Sequence, residues 1–144
     1  MLTVMLYNSE VWPIRDDELQ WLSANYRRML YSIFRLGARA RAEKIKVKIS
    51  TDELLEKMRL PPLPLRLRQN RMRWVGHALR RDENDMSHKL VLRELAERPT
   101  AFWSRNVLSD MAELDIGDLE ALKRIVGSKN DFRRLTDARM LIDE

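Results

Sequence analysis

From Asp16 to Phe34 the apolar residues Leu19, Leu22, Tyr26, Met29, Leu30 and Ile33 recur at intervals of three and four, which predicts one face of an amphipathic helix. The acidic first turn, Asp16-Asp17-Glu18, and the later Arg27-Arg28 both complement the helix dipole, and Gly37 is the expected stop. Lys44, Lys46 and Lys48 then alternate with Ile45, Val47 and Ile49, a pattern that fits either a short strand or an extended basic connector. Ser50 and Glu53 have the spacing of a capping box and open a short helix through Met58. Pro61, Pro62 and Pro64 interrupt the chain, and Pro64 suits the first turn of the next helix. Beyond the turn-like RDEND a short helix is expected over 87–97, closed by Arg98-Pro99. Trp103, Val107, Met111 and Leu114 mark another, and Leu119, Leu122, Ile125 and Val126 a further one that Gly127 closes. Ser128 and Asp131 cap a last helix anchored by Phe132 and Leu135. The expected fold class is therefore all-α: a multi-helix bundle of short amphipathic helices, forming one body or two small helical subdomains. The expected division separates residues 1–49, a helix with its basic connector, from a helical region over 50–144.

A chain of 144 residues can bury a core of that size. Cysteine is absent, which excludes disulfides and thiolate zinc sites, and the two histidines, His77 and His88, lie too far apart to suggest a metal pair. No metal ligand and no cofactor is expected. No apolar run approaches the roughly 20 residues that span a bilayer. The opening MLTVMLYNSE lacks a basic n-region and a small-residue cleavage site, so the expectation is an intracellular protein of nucleus or cytoplasm with no membrane partner. Neither a glycine-rich phosphate loop, a Ser/His/Asp set nor a paired acidic metal motif stands out, and Asp16, Asp17 and Asp131 sit at helix starts where carboxylates need no further explanation. No catalytic residue is expected, and no enzyme activity of the chain's own.

Charge changes the picture more. The formal net charge of +5 is distributed as −3 over residues 1–25, +12 over 26–81 and −4 over 82–144. Such a basic block between acidic ends implies a polyanionic partner, RNA or DNA, or else a basic face that acidic neighbours balance on folding. Its centre is RLRQNRMRWVGHALRR, Arg66 to Arg81, with six arginines and no acid. At about 100° per residue Leu65, Met72, Val75, Gly76 and Leu79 share a face that should pack inward. Arg66, Asn70, Arg73, His77 and Arg80 form a polar stripe roughly 21 Å long. Trp74, Leu67 and Ala78 flank it beside Arg71, and a basic stripe next to an indole can hold phosphates while the ring packs or stacks. The candidate contact residues are Arg66, Arg68, Asn70, Arg71, Arg73, Trp74, His77, Arg80 and Arg81, with Lys44, Lys46 and Lys48 of the connector. Gly76, costly inside a helix by about 1 kcal/mol against alanine, predicts the close approach of another helix. His77 is either a phosphate or base contact or a structural or simply exposed histidine.

Three landmarks resemble one family. LYNSEVW, Leu6 to Trp12, resembles the LYGSETW segment just after the palm of non-LTR (LINE-type) retrotransposon reverse transcriptases, with Asn8 in place of the usual glycine. Asparagine is the next most tolerant residue for a left-handed backbone, so that conformation is expected to survive. ISTDELLEKMRLPPLPLRLRQNRMRWVGHALRR resembles the family's "(T/S)NEELL…TGLPPL…RRRRLRWLGHVLRM" almost position by position. RPTAFWSRNVLSDMAELDI resembles "GRPRKRW…V…DL..LGI" more weakly, and NDFRRL resembles "DRxxWRxL". The resemblance implies the thumb-like helical region of such a polyprotein together with its C-terminal tail, with residues 1–49 the thumb-like part. It implies a role in holding template RNA, primer or target DNA, and an upstream palm as partner in a full-length protein. The family's polymerase aspartates lie upstream of the first landmark, so its activity carries over to no residue here. Arg66, Arg68, Arg71, Arg73, Trp74, Gly76, His77 and Arg80 are the positions that match the motif.

Departures are also visible. Pro99-Thr100-Ala101-Phe102 stand where the family has a basic run, and Phe132 replaces a tryptophan. Contact with an upstream palm would involve apolar side chains off the main helix stripe, with Trp12, Trp21 and Tyr31 as candidates. Two alternatives remain: a structural or protein-interaction module whose arginines meet acidic protein surface, or a non-functional relic of a truncated element.

Overall fold

The computed structural model describes residues 6–39, 50–96 and 101–138. All regular structure among them is helical, with no strand. A single 3₁₀ turn, Ser9–Val11, precedes seven α-helices: α1 Asp16–Arg39, α2 Thr51–Met58, α3 Leu63–Leu79, α4 Met86–Ala96, α5 Phe102–Glu113, α6 Leu119–Gly127 and α7 Lys129–Ala138. The alternating lysine segment and the expected Arg98-Pro99 stop lie outside the described residues.

Local chemistry accounts for most of the boundaries. At the start of α1 the Glu18 carboxylate reaches back to accept from the Arg15 amide at 2.9 Å, satisfying an orphan donor. The Ser50 hydroxyl accepts from the Glu53 amide at 3.2 Å to open α2, and Pro64 occupies the first turn of α3. The Asp118 carboxylate accepts from the Ala121 amide at 2.7 Å ahead of α6, and Ser128 accepts from the Asp131 amide at 3.4 Å ahead of α7. One expected boundary is corrected: α1 runs through Gly37 to Arg39. A glycine weakens a helix interior but ends it only where the backbone must turn left-handed, and no described glycine has positive φ.

Left-handed backbone is instead adopted by Asn8 (φ 55°), Arg59 (φ 51°) and Asp115 (φ 55°). Arg59 and Asp115 close α2 and α5 in the same manner. The amide that follows each left-handed residue bonds back across six residues, Leu60 to the Leu55 carbonyl and Ile116 to that of Met111, both at 2.9 Å.

The chain separates into two compact units, Arg15–Pro64 and Met1–Ile14 with Leu65–Glu144. In the smaller unit α1 and α2 pack together, and Tyr26, Leu30, Leu54, Leu55 and Leu63 are buried. The larger has one continuous core. Met72, Val75, Ala78 and Leu79 of α3 meet Val91 and Leu95 of α4, Val107 and Met111 of α5, Leu122 and Val126 of α6 and Phe132 of α7. Residues 50–64, placed with the C-terminal region in the expected division at 49/50, fall in the smaller unit, and the N-terminal segment falls in the larger. Asn70 donates to the buried Ser9 hydroxyl at 2.9 Å, the Trp103 indole to the Glu10 carbonyl at 2.8 Å, and Asn106 to the Ile14 carbonyl at 2.9 Å. Of the apolar candidates for a partner surface, Trp21 is exposed while Trp12 and Tyr31 are half-buried.

Candidate nucleic-acid interface on α3

The six arginines of α3 and the turn after it divide by where the helix points them. Arg68 and Arg71 face α5. Arg71 is only 8 % exposed, and its Nε and Nη2 donate to the two carboxylate oxygens of buried Asp110 at 2.7 and 3.0 Å. Arg68 lies 3.5 Å from the same carboxylate and 2.9 Å from Glu113. A planar guanidinium that presents two donors to one carboxylate is the geometry of a fixed, charge-assisted pair. The α3–α5 contact is thus an Arg-Arg-Asp-Glu cluster, and Arg71 is occupied by protein rather than offered to a ligand. A signal for it lay in the sequence: Asp110 falls inside the stripe of Trp103, Val107, Met111 and Leu114, where an acid needs a partner.

The opposite edge carries Arg66, Arg73, His77 and Arg80, all exposed. Arg66 makes no ion pair among the described residues. The Arg73 Nη2 donates to Asp137 of α7 at 2.8 Å, and Arg80 donates to the Val126 carbonyl at 3.4 Å near the C-terminal end of α6, where a cation suits the helix dipole. Arg81 turns back to Asp85 at 3.1 Å and lies 3.3 Å from the His77 ring. The Ser87 hydroxyl and amide and the Arg81 guanidinium hold the Asp85 carboxyl down to about 2, well below the usual carboxylate range, and the same carboxylate accepts from the second residue of α4.

Two expected contacts are taken up inside the fold. Asn70 is committed to Ser9, and the Trp74 ring meets Trp103 edge to face, with centroids 5.5 Å apart and planes at 89°. Lys44, Lys46 and Lys48 lie outside the described residues. The stripe therefore keeps Arg66, Arg73, His77 and Arg80 on its outward edge, four of the five residues that periodicity aligned.

Gly76 is where α7 crosses. A Cβ there would lie 2.4 Å from Cε1 of Phe132 and 2.8 Å from its Cδ1, closer than packed atoms come. The close approach expected at this glycine is thus made by an aromatic ring of α7. This contact brings the exposed Arg133 to the edge of the stripe, where its Nε lies 3.5 Å from Asp137, the carboxylate that Arg73 also holds. Arg133, Asp137, Asp110 and Glu113 were not among the candidates read from the sequence. Among the described residues no group of three or more His, Asp or Glu side chains is placed to hold a metal ion, and no helix is long and apolar enough to cross a membrane.

No protein-family model, curated protein or solved structure matches the chain.

Proposed function

We propose that this chain is a nucleic-acid-binding helical segment of the kind that lies beyond the palm in non-LTR retrotransposon reverse transcriptases. In that role the outward edge of α3 grips the phosphates of template RNA, primer or target DNA, in nucleus or cytoplasm. The chain supplies no catalytic group in this reading, since no residue matches a polymerase aspartate, and an upstream palm domain is its natural partner.

The observation that carries the reading is the backbone at three positions. Asn8, Arg59 and Asp115 are the only described residues with positive φ. Each stands where the family pattern has glycine: in LYGSETW, in TGLPPL and in LGI. Non-glycine residues adopt this conformation uncommonly, so three such coincidences, with no positive φ elsewhere among the described residues, support a shared backbone beneath diverged side chains. The landmarks also meet: Ser9 with Asn70, and Glu10 with Trp103, are hydrogen-bonded pairs between segments that the resemblance links only by motif.

Replacing Arg66, Arg73 and Arg80 together with glutamine is expected to weaken binding to a labelled oligouridylate and to a DNA duplex. It should also lower the slope of log affinity against log salt by roughly two to three, because each phosphate contact contributes about 0.7–0.9. Affinity and slope equal to the parent's would remove this edge from the binding surface. A second reading, a structural module whose arginines serve protein contacts, is favoured by the carboxylate partners of Arg68, Arg71, Arg73 and Arg81. That reading would account for an unaltered triple variant.

A further inference from the structure

The carboxylate of Asp137 is held by two helices at once. Its Oδ1 accepts from Arg73 Nη2 at 2.8 Å and, at a long 3.4 Å, from the Gln69 amide of α3, while its Oδ2 faces Arg133 Nε of α7 at 3.5 Å. Within α7 the arginine stands four residues ahead of the acid, the weaker order for a helical pair. The cluster is open to water, with side-chain exposures of 44 % for Arg73, 36 % for Asp137 and 75 % for Arg133. Its framework does not depend on the carboxylate. The Phe132 ring against Gly76 and the core contact of Leu135 dock α7, and Thr136 is buried.

We propose that Arg73 and Arg133 form a phosphodiester site spanning α3 and α7, and that the Asp137 carboxylate occupies it until a backbone phosphate displaces it. The inference rests on the nucleic-acid reading and extends it from one helix to two. A carboxylate and a phosphodiester each offer two oxygens that share one negative charge, and two guanidinium groups that already converge on the first are disposed to take the second. A polyanion brings many phosphates to an exposed, screened ion pair, so exchange of one anion for the other needs no rearrangement of the core. Asp137 then acts as a built-in competitor that weakens binding to stray anions and adds to the selectivity for a long phosphate backbone.

The test is salt-dependent binding of the full chain to the labelled oligouridylate. Asp137→Asn keeps the size and one accepting oxygen but removes the competing charge, and it is expected to bind about three- to ten-fold tighter at low salt. Its salt slope should be steeper by roughly one phosphate contact. Arg133→Gln, on an exposed side chain, is expected to abolish that gain in the Asp137→Asn background. Affinity and slope unchanged in Asp137→Asn, or no loss on adding Arg133→Gln, would overturn the site and leave the cluster a helix-docking contact. If the Arg66/Arg73/Arg80 variant loses binding while these two variants do nothing, only this inference falls. If the parent chain binds no nucleic acid, both readings fall.

Discussion

At the scale of single residues, the decisive contrast is between arginines of one helix that differ only in rotation. Arg71 and Arg73 are two positions apart, so their side chains point to opposite sides of α3, one into the Asp110 carboxylate and one to the solvent edge. A buried, bidentate pair adds little net stability over an apolar isostere, yet removal of one member leaves an uncompensated charge. Asp110→Ala is therefore expected to destabilise the fold by about 3–5 kcal/mol. The paired change Arg71→Met with Asp110→Leu should restore most of that loss, and urea unfolding of the three proteins would measure both. Asp110→Ala with the parent's midpoint would mean that the cluster is solvated and the burial of Arg71 incidental. Periodicity put Arg71 beside the binding stripe because it reports only where a residue lies on its own helix. The partner that decides its role lies 39 positions away on α5.

At the scale of elements, helix identity was largely legible because its causes are local. The serine caps before α2 and α7, the proline in the first turn of α3, the turn ahead of α4 and the apolar intervals of α5 to α7 are all written within a few residues of the boundaries they set. The exception, α1 continuing through Gly37, arises because a glycine permits a stop without imposing one. What α3 packs against could be read only in part: Gly76 announced a close approach, but the sequence did not say that a phenylalanine ring from α7 makes it. That contact yields a prediction. Gly76→Ala gains up to about 1 kcal/mol of helix propensity but forces the Phe132 ring to move, and overpacking of this kind costs typically about 1–3 kcal/mol. A net loss of stability is expected. Adding Phe132→Leu, which removes the ring and its closest atom, Cε1, should make the alanine far less harmful than it is alone. Additive effects in that double-mutant cycle, measured by thermal or urea unfolding, would show that the two side chains do not share the space.

At the scale of the whole molecule, the charge asymmetry of the sequence resolves into two populations of cations. The block from 26 to 81 carries +12 and the stretch after it −4, and folding brings acids of α5 and α7 to three of the six arginines of α3 and its following turn. Arg71 and Asp110 are shielded from solvent, whereas Arg66, Arg73 and Arg80 face it. Salt distinguishes the two, since at about 1 M the screening length falls to roughly 3 Å in water while a buried pair is little affected. Raising salt fourfold should weaken binding through about four phosphate contacts by roughly fifty- to a hundred-and-fifty-fold. The midpoint of thermal unfolding should shift by no more than about 3 °C over the same range, because exposed ion pairs contribute little to stability. This combination is expected only if the outward cations serve a ligand and the inward ones serve the fold. A melting point that falls in step with binding would assign the outward arginines to protein contacts, and would favour the structural module over the nucleic-acid grip.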